Sequence, residues 1–437
     1  MLSFSNRLNL GLAAWIAMFF SILIWTQSDL RPGELGDTKN YYRIILVLFA
    51  AGASVWTLLR NGNRLQEAFP APLLLLLIYA VIAMVSSSYV PTHAFYAMWK
   101  GFEVLVDILV LAAILSYSDS QDSARMAYRL LPILNGVLVV VYLVEAVMMP
   151  SLALTPTRGY ISIYMMGVLP VMTQNALAFL SAITAFAIIC RLHRSGGLAV
   201  KGFYLLILCL ALLTLVFAQS RTSIIALGLA LIVYLLYDRR FVSLAVLVGG
   251  CLVAAIYTQA SDVSLQYLLR GQDAALITTL SGRTEGWEAA WQSFQESPIV
   301  GQGFAAFARA NILGTTGMSS LHGAIFDVMV GTGLLGLIPW AGAIVWTFLR
   351  LLRLTSSGHP WFRSAIGRSI QAEMLGVAIL IVVRASTSSG LALHQDNFML
   401  FLTVLAYTSS MRRAARRLPD AEVTLTATSP QARPRLI

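Results

Sequence analysis

Residues 281–336 read SGRTEGWEAAWQSFQESPIVGQGFAAFARANILGTTGMSSLHGAIFDVMVGTGLLG, and they form the only long polar excursion in a chain that otherwise consists of apolar segments of membrane length. This stretch places Arg283 at the start of a predicted amphipathic helix and His322 just before the next apolar segment. We therefore expect the other segments to form a scaffold that holds the loop at a membrane surface. We also expect the charged chemistry of the protein to lie in this loop.

The composition indicates an integral membrane protein. Apolar residues make up 58% of the chain, charged residues only 11%, and the mean hydropathy is +0.76, whereas soluble domains are roughly half apolar and about a quarter charged. The net charge of +10 comes from Lys and Arg in short connections, the pattern that sets membrane topology, so no nucleic-acid partner is expected. The three cysteines lie in or beside apolar segments and form no CxxC pair, which argues against a disulfide framework and a cysteine metal site.

Twelve segments are long enough to cross about 30 Å of hydrocarbon as helices, and none alternates like a barrel strand. The predicted fold is therefore all-α: a polytopic transmembrane helix bundle of about 12 spans, with one long periplasmic loop that contains an amphipathic helix. We predict a single transmembrane domain over residues 1–411, with the loop 259–321 inserted between the ninth and tenth spans, and a basic, disordered cytoplasmic tail over 412–437. The predicted span cores are 8–27, 41–59, 71–88, 94–116, 128–149, 162–190, 202–218, 222–237, 241–258, 325–349, 369–388 and 395–411.

The positive charges predict the orientation of the bundle. With the N-terminus inside, the inner connections carry most of the arginines, including the cluster Arg412, Arg413, Arg416 and Arg417. Both termini are then cytoplasmic and the long loop faces outward. The first apolar segment has no small-residue cleavage pattern after it, so we expect it to remain as a span.

Residues 284–297 of the loop are predicted to form a helix that Pro298 ends. Trp287, Ala290, Trp291 and Phe294 follow helical spacing and share one face, which we expect to lie on the bilayer or against the bundle. Arg283 is then held near the headgroup plane, where its planar guanidinium suits a phosphate group. A solvated loop arginine fits the same spacing.

Two further side chains on the outer side are candidates for chemistry. Arg221 lies in a short turn between two apolar segments, where it either contributes to a binding site or simply extends its charge to the membrane surface. His322 is the histidine of the long loop, and a neutral imidazole can accept a proton from a sugar hydroxyl. A structural interfacial histidine is the alternative.

Charged residues also occur inside the fourth predicted span. Lys100, Glu103 and Asp107 share a helix face, which favours an internal ion-pair ladder over an ion pathway. Glu145 and Glu373 are acids at membrane edges to which the sequence assigns no role. In the last outer loop, a polar group that could complete a site consists of Arg384, His394, Gln395 and Asp396.

Several short motifs occur in a characteristic order. They are Arg158-Gly159, Thr173-Gln174-Asn175-Ala176, Ser220-Arg221-Thr222, Gly282-Arg283-Thr284 with Trp287, PIVGQGF at 298–304, and His322 followed by GTGLLG at 331–336. In this order they resemble the O-antigen ligase and polysaccharide polymerase superfamily of membrane glycosyltransferases. The resemblance is most specific over residues 158–340. The chain departs from it at Gly323, where many relatives have Asn.

This resemblance implies an inverting, metal-independent glycosyltransferase of the GT-C type at the periplasmic face of the bacterial inner membrane, with no cofactor. Its donor would be a glycan linked to undecaprenyl diphosphate. Arg221 and Arg283 would hold the diphosphate, and His322 would activate the acceptor hydroxyl. The accessory candidates are Arg158, Asn175, Trp287, Arg384 and His394, and no metal ligands are expected.

The acceptor is open between two possibilities. A polymerase would add the glycan to another lipid-linked repeat, whereas a ligase would transfer it to lipid A-core; the Gly-Arg-Thr and Pro-x-x-Gly-x-Gly-Phe motifs favour a polymerase of exopolysaccharide or O-antigen repeats. Expected partners are the lipid-linked donor, the glycan or lipid A-core acceptor and membrane lipid, with polysaccharide chain-length regulators or export proteins as further candidates. A lipid-linked oligosaccharide flippase or transporter is the alternative from another class, supported by the charges in the fourth span.

Overall fold

The computed structural model describes residues 9–25, 41–89, 94–117, 120–156, 163–259, 283–305, 321–356 and 360–417. This part of the chain contains helices and four short strands. The helices are α1 (Leu10–Ile22), α2 (Tyr41–Arg60), α3 (Leu65–Ala68), α4 (Ala71–Ser86), α5 (Ala94–Ser116), α6 (Ser120–Met148), α7 (Pro150–Ala153), α8 (Gln174–Arg194), α9 (Leu198–Phe217), α10 (Arg221–Tyr237), α11 (Phe241–Gln259), α12 (Arg283–Glu296), α13 (Ala324–Ser356), α14 (Pro360–Arg363), α15 (Ala365–Ala385) and α16 (Asp396–Arg417). The strands are β1 (Leu154–Pro156), β2 (Ile163–Met165), β3 (Gly167–Val168) and β4 (Val171–Met172).

The predicted all-α membrane fold is confirmed, but the number of spans is not. By length and apolar composition 6 of the described helices can cross a membrane, or up to 7 if the pair Gly62–Ala68 and Ala71–Ser86, bent by 91°, forms one broken span. Shorter apolar helices occupy three more of the predicted positions, at Leu10–Ile22, Arg221–Tyr237 and Phe241–Gly250. Residues 260–282 and 306–320 of the predicted loop, and 418–437 of the predicted tail, lie outside the described residues.

The sixth span was predicted to begin too early. The sequence predicts one helix over residues 162–190, whereas α8 begins only at Gln174 and is preceded by β2, which pairs with β1, and by the antiparallel hairpin of β3 and β4. Pro170 cannot continue a helix interior, and the Thr173 side chain caps α8 by accepting a hydrogen bond from the backbone N–H of Ala176. Apolar content alone could not distinguish this hairpin from a helix.

Glu145, at the end of α6, binds the backbone of this hairpin through its carboxylate. Its two carboxylate oxygens accept hydrogen bonds from the backbone N–H groups of Val168 (2.8 Å) and Leu169 (2.9 Å). The glutamate is 5% exposed, so these charge-assisted bonds satisfy a carboxylate that burial would otherwise penalise. Glu145 therefore fixes the hairpins to the end of the bundle.

Contacts between α10 and α15 show which helix ends lie together. Tyr234 Oη lies 3.4 Å from Ser369 Oγ, and Arg368 Nε lies 3.9 Å from Asp238 Oδ1, so the C-terminal end of α10 meets the N-terminal end of α15. The two helices are antiparallel neighbours. Arg221, the first residue of α10, is therefore at the same end of the bundle as Arg384, in the last turn of α15.

The opposite end of the bundle carries ion pairs between buried acids and arginines. Glu373 pairs with Arg194 and accepts a hydrogen bond from Tyr128 Oη at 2.6 Å, and Asp238 pairs with Arg240 at 2.6 Å. The positive-inside rule predicts this end to be cytoplasmic. That orientation stays a prediction.

Two glycine-containing segments join the long loop to the bundle through their backbones. In α13 the helix is broken at Gly333, whose φ is 60° and ψ −161°. The carbonyl groups of Val330 and Gly331 accept from Gln302 N–H (2.8 Å) and Gly303 N–H (3.0 Å). The N–H groups of Leu334 and Leu335 donate to the carbonyl groups of residues 298 and 299 instead of continuing the helix. These four backbone groups are therefore hydrogen-bonded despite the break, because α13 exchanges two internal hydrogen bonds for four bonds to the loop.

We expect Gly333→Ala to destabilise the protein by at least about 2 kcal/mol. An alanine Cβ would lie 2.4 Å from the carbonyl oxygen of Ile299 and would also have to adopt the positive φ of Gly333. The measurement is the thermal unfolding of purified protein in detergent. Gly342→Ala on the same helix is the control, since its Cβ would meet only Leu75 Cδ1 at 3.4 Å; equal effects of the two variants would contradict the proposed role of the joint.

Candidate functional site

The helix α12 packs on the bundle through its small residues. Gly286, Ala290 and Ser293 are buried, whereas Trp291 is 49% exposed. The predicted face is thus correct in part: Ala290 is buried and Trp287 contacts Phe326, whereas Trp291 is exposed, and the small residues allow the helix to approach closely. Ala290 packs with Leu321 and Val330, next to the start of α13.

Trp287 links α12 to the backbone on either side of His322. Its Nε1 donates a hydrogen bond of 2.9 Å to the carbonyl oxygen of Leu321, and its ring stacks on Phe326 with centroids 5.3 Å apart. A Cβ on Gly323 would lie 3.0 Å from Phe326 Cδ2 and 3.3 Å from Trp287 Nε1. The glycine that departs from the family pattern thus leaves room for the stacked pair.

His322 has a strained backbone and an electrostatically controlled side chain. Its φ of 50° lies in the left-handed region, which histidine adopts more readily than most residues but still infrequently. Burial lowers the pKa of His322 to about 4, and the positive charges of Arg283 and Arg384 add to this effect. The imidazole is consequently neutral at pH 7, which is the form of histidine that acts as a base.

The structure therefore brings Arg283 and Arg384 within electrostatic range of His322. Arg283 is the first residue of α12, and burial lowers its pKa, although a guanidinium remains charged at any physiological pH. The Arg384 guanidinium carbon lies 5.3 Å from the centre of the Phe179 ring, and Asp396 interacts electrostatically with this arginine. Asn175 lies one helical turn before Phe179, in the first turn of α8.

Arg221 lies at the same end of the bundle, with two donors unsatisfied. Its Nε and Nη2 atoms are buried and have no hydrogen-bond partner. The preceding turn is formed by Gln219, whose φ is 51° and whose Nε2 donates to the carbonyl oxygen of Ile163 at 2.8 Å. Buried guanidinium donors without partners are costly, and an anion would satisfy them. The charge of Arg221 is not among the causes that lower the pKa of His322.

Two accessory candidates remain, Arg158 and His394. Arg158 lies outside the described residues. His394 is buried inside the bundle, where its Nδ1 lies 2.7 Å from Asp107 Oδ2 and its Nε2 lies 2.9 Å from Ser21 Oγ. Asp396 interacts electrostatically with both His394 and Arg384.

Sequence reasoning missed some contacts that the structure reveals. Phe179 under Arg384 could have been suggested by its position four residues after Asn175, on the same helix face. The GQG motif hydrogen-bonds through its backbone to the segment that carries the GTG motif, a pairing that spacing in the sequence does not predict. Within the described ranges, no group of three or more His, Cys, Asp or Glu side chains could hold a metal ion.

Comparison with known proteins supports the predicted resemblance. Residues 205–341 match the family described as O-antigen ligase, a range that includes Arg221, Arg283 and His322. The resemblance to the O-antigen ligase and polysaccharide polymerase superfamily is thus confirmed. The chain is also 29% identical over 274 residues to the exopolysaccharide production protein ExoQ of Rhizobium meliloti (strain 1021). That match covers 56% of this chain and 59% of the relative, less than two thirds of the relative's length.

The Trp287 contact generates a test of how His322 is held. We expect Trp287→Phe to keep the stacked ring but to lose the hydrogen bond to the Leu321 carbonyl. This loss costs about 1 kcal/mol, so the population of the locally open state should rise roughly fivefold. Hydrogen–deuterium exchange of peptides from α12 and the start of α13 measures this. Trp291→Phe on the same helix is the control and should exchange like the unmodified protein; indistinguishable exchange in both variants would rule out the anchoring role.

Proposed function

We propose that this protein transfers a glycan from undecaprenyl diphosphate to a sugar hydroxyl at the periplasmic face of the bacterial inner membrane. The observation that carries the proposal is the position of His322, a neutral imidazole within range of the charges of Arg283 and Arg384. A base and cations for a phosphorylated leaving group are what such a transfer needs. The match to the O-antigen ligase family supports the same class of reaction.

In the proposed reaction, His322 accepts the proton of the acceptor hydroxyl as the hydroxyl oxygen attacks the anomeric carbon of the donor sugar. The bond between that carbon and the diphosphate oxygen breaks, and the electron pair leaves with the diphosphate. Attack from the opposite side inverts the anomeric configuration. The negative charge that develops on the diphosphate is stabilised by Arg283 and by the unsatisfied donors of Arg221, so that no metal ion is required.

The acceptor that we favour is another lipid-linked repeat, which makes the protein a polymerase. The name of the ExoQ relative refers to exopolysaccharide production, in agreement with the Gly-Arg-Thr and Pro-x-x-Gly-x-Gly-Phe motifs. The family description supports the ligase alternative, with lipid A-core as the acceptor. A transporter is disfavoured because the acids of α5, its main support, are paired with Lys100, Arg43 and His394.

Substitution of the three principal residues tests the proposal. Arg221→Ala, Arg283→Ala and His322→Ala should each lower transfer at least 100-fold, since removing one donor to developing charge typically costs roughly 3 kcal/mol. The assay supplies purified protein with a lipid-linked repeat and either a second lipid-linked repeat or lipid A-core. Arg60→Ala is the control and should remain active, because Arg60, the last residue of α2, is not one of the proposed site residues. Wild-type transfer by the His322 variant would refute the assignment of the base.

The pKa of His322 gives a separate prediction for the pH profile. Because the neutral imidazole is the base, activity should be lost as the pH falls through the pKa of about 4 and should be constant from about pH 5.5 to neutrality. An ordinary histidine would give an acidic limb near pH 6.5. The measurement is kcat/KM against pH, which reports the free enzyme. An acidic limb near pH 6.5 would show that the burial and charges around His322 do not control it.

A further inference from the structure

A second group of cations lies at the N-terminal ends of α2 and α5. Glu103 is fully buried, and its carboxylate accepts from Lys100 Nζ at 2.7 Å and from Arg43 Nη2 at 3.5 Å. Trp99 Nε1 donates to the same carboxylate at 2.7 Å. The side chains of Arg43 and Lys100 are 16% and 15% exposed. Two largely buried cations therefore share one carboxylate.

Asp107, one helical turn further along α5, does not balance this excess charge. Its Oδ2 atom is engaged by His394 Nδ1. Ser21 Oγ, which donates to the carbonyl oxygen of Met18, lies 2.9 Å from His394 Nε2. Asp107 and His394 thus form a pair in which both ring nitrogens are engaged, while Asp107 Oδ1 is buried without a hydrogen-bond partner. Lys100, Arg43 and Glu103 together keep a net charge of +1.

An excess positive charge at this depth is unfavourable without an anion. The structure also shows an unused donor, because Arg43 Nε is buried and has no hydrogen-bond partner. Lys100 Nζ lies 5.7 Å from the centre of the Tyr96 ring, and Trp99 and Phe102 pack together nearby. Aromatic rings with basic side chains between them are typical of the level of lipid headgroups.

This cluster lies at the same end of the bundle as the candidate transfer site. Asp107, one turn beyond Glu103 on α5, lies 2.7 Å from His394, which belongs to the connection between Arg384 in the last turn of α15 and the start of α16. Different helices supply the two groups of cations: α2 and α5 supply one, and α10, α12 and α15 supply the other.

We propose that Arg43 and Lys100 bind the phosphate headgroup of a second membrane lipid. The chemistry they recognise is a phosphate or diphosphate at the membrane surface, with the Arg43 fork and the Lys100 ammonium as donors. In the polymerisation proposed above, both donor and acceptor are lipid-linked, and the acceptor's diphosphate is the expected occupant. Only this last assignment rests on the proposed function.

Arg43→Gln is the informative variant, because it removes the excess charge and leaves the neutral pair of Lys100 and Glu103 intact. Native mass spectrometry of the purified full chain counts bound undecaprenyl diphosphate molecules. We expect two per unmodified chain, with the second bound roughly tenfold more weakly in Arg43→Gln, the effect of one charge-assisted hydrogen bond. Arg43→Lys should restore part of the affinity, and Arg60→Gln at the other end of α2 should change nothing.

A purely structural role of Arg43 gives the opposite pattern. In that case Arg43→Gln would lower the thermal unfolding temperature and leave the lipid count unchanged, which would overturn the proposal. A count of one lipid for the unmodified chain would overturn it as well. Removing Arg221 and Arg283 together, as Arg221→Gln with Arg283→Gln, tests the donor site independently. If that variant still binds two lipids, the donor assignment fails while the second site stands.

The source of the phosphate is tested by competition. Dioleoylphosphatidylglycerol is added to the unmodified chain and to Arg43→Gln, each loaded with undecaprenyl diphosphate. Displacement of only the Arg43-dependent molecule at equimolar phospholipid identifies a site for glycerophospholipid headgroups. Resistance to displacement identifies a site that prefers the diphosphate, as an acceptor lipid requires. Both outcomes support a phosphate site at Arg43 and Lys100, and displacement that is the same in Arg43→Gln contradicts it.

Discussion

The arrangement of the candidate site depends on the backbone joint between the loop and α13. Because the helix is broken at Gly333, the carbonyl groups of Val330 and Gly331 face the loop, and the N–H groups of Leu334 and Leu335 return the bonds. Side chains at Gly301 or Gly333 would clash with the opposing backbone at 2.5 and 2.4 Å. A polar loop at a membrane surface must satisfy its backbone groups, and this joint does so without side chains.

The joint has consequences for the helix α12 and for His322. Segment 298–303 follows α12 directly, so fixing it also fixes the end of α12, while Gln302 Nε2 bonds the Ser293 carbonyl at 2.5 Å. Trp287 then reaches the Leu321 carbonyl from the other end of the same helix. His322 is therefore held between two rigid attachments, in a left-handed conformation that an isolated loop would rarely keep.

Charge is distributed unevenly over this end of the bundle. Glu145 and Glu103 are buried acids whose two carboxylate oxygens each accept a hydrogen bond, which lowers the cost of their burial. In contrast, Arg221 and Arg43 each have buried donors without partners. An anionic lipid headgroup would supply the hydrogen-bond acceptors that these arginine donors lack. Both of our proposals rest on this contrast between acids that have partners and arginines that have spare donors.

The sequence by itself determined the membrane class and the approximate positions of most helices, because apolar length and the lack of alternation are local properties. It also indicated Arg221, Arg283 and His322, since each lies in a short motif. Hydrophobicity could not separate the hairpins at 163–172 from a helix, nor decide which face of α12 is buried, because both depend on what packs against them. The pairing of the GQG and GTG motifs, the partner of Asp107 and the neutral state of His322 arise from residues far apart in the chain. Only the tertiary structure decides them, because hydrogen bonds and burial across the bundle leave no periodic trace in the sequence.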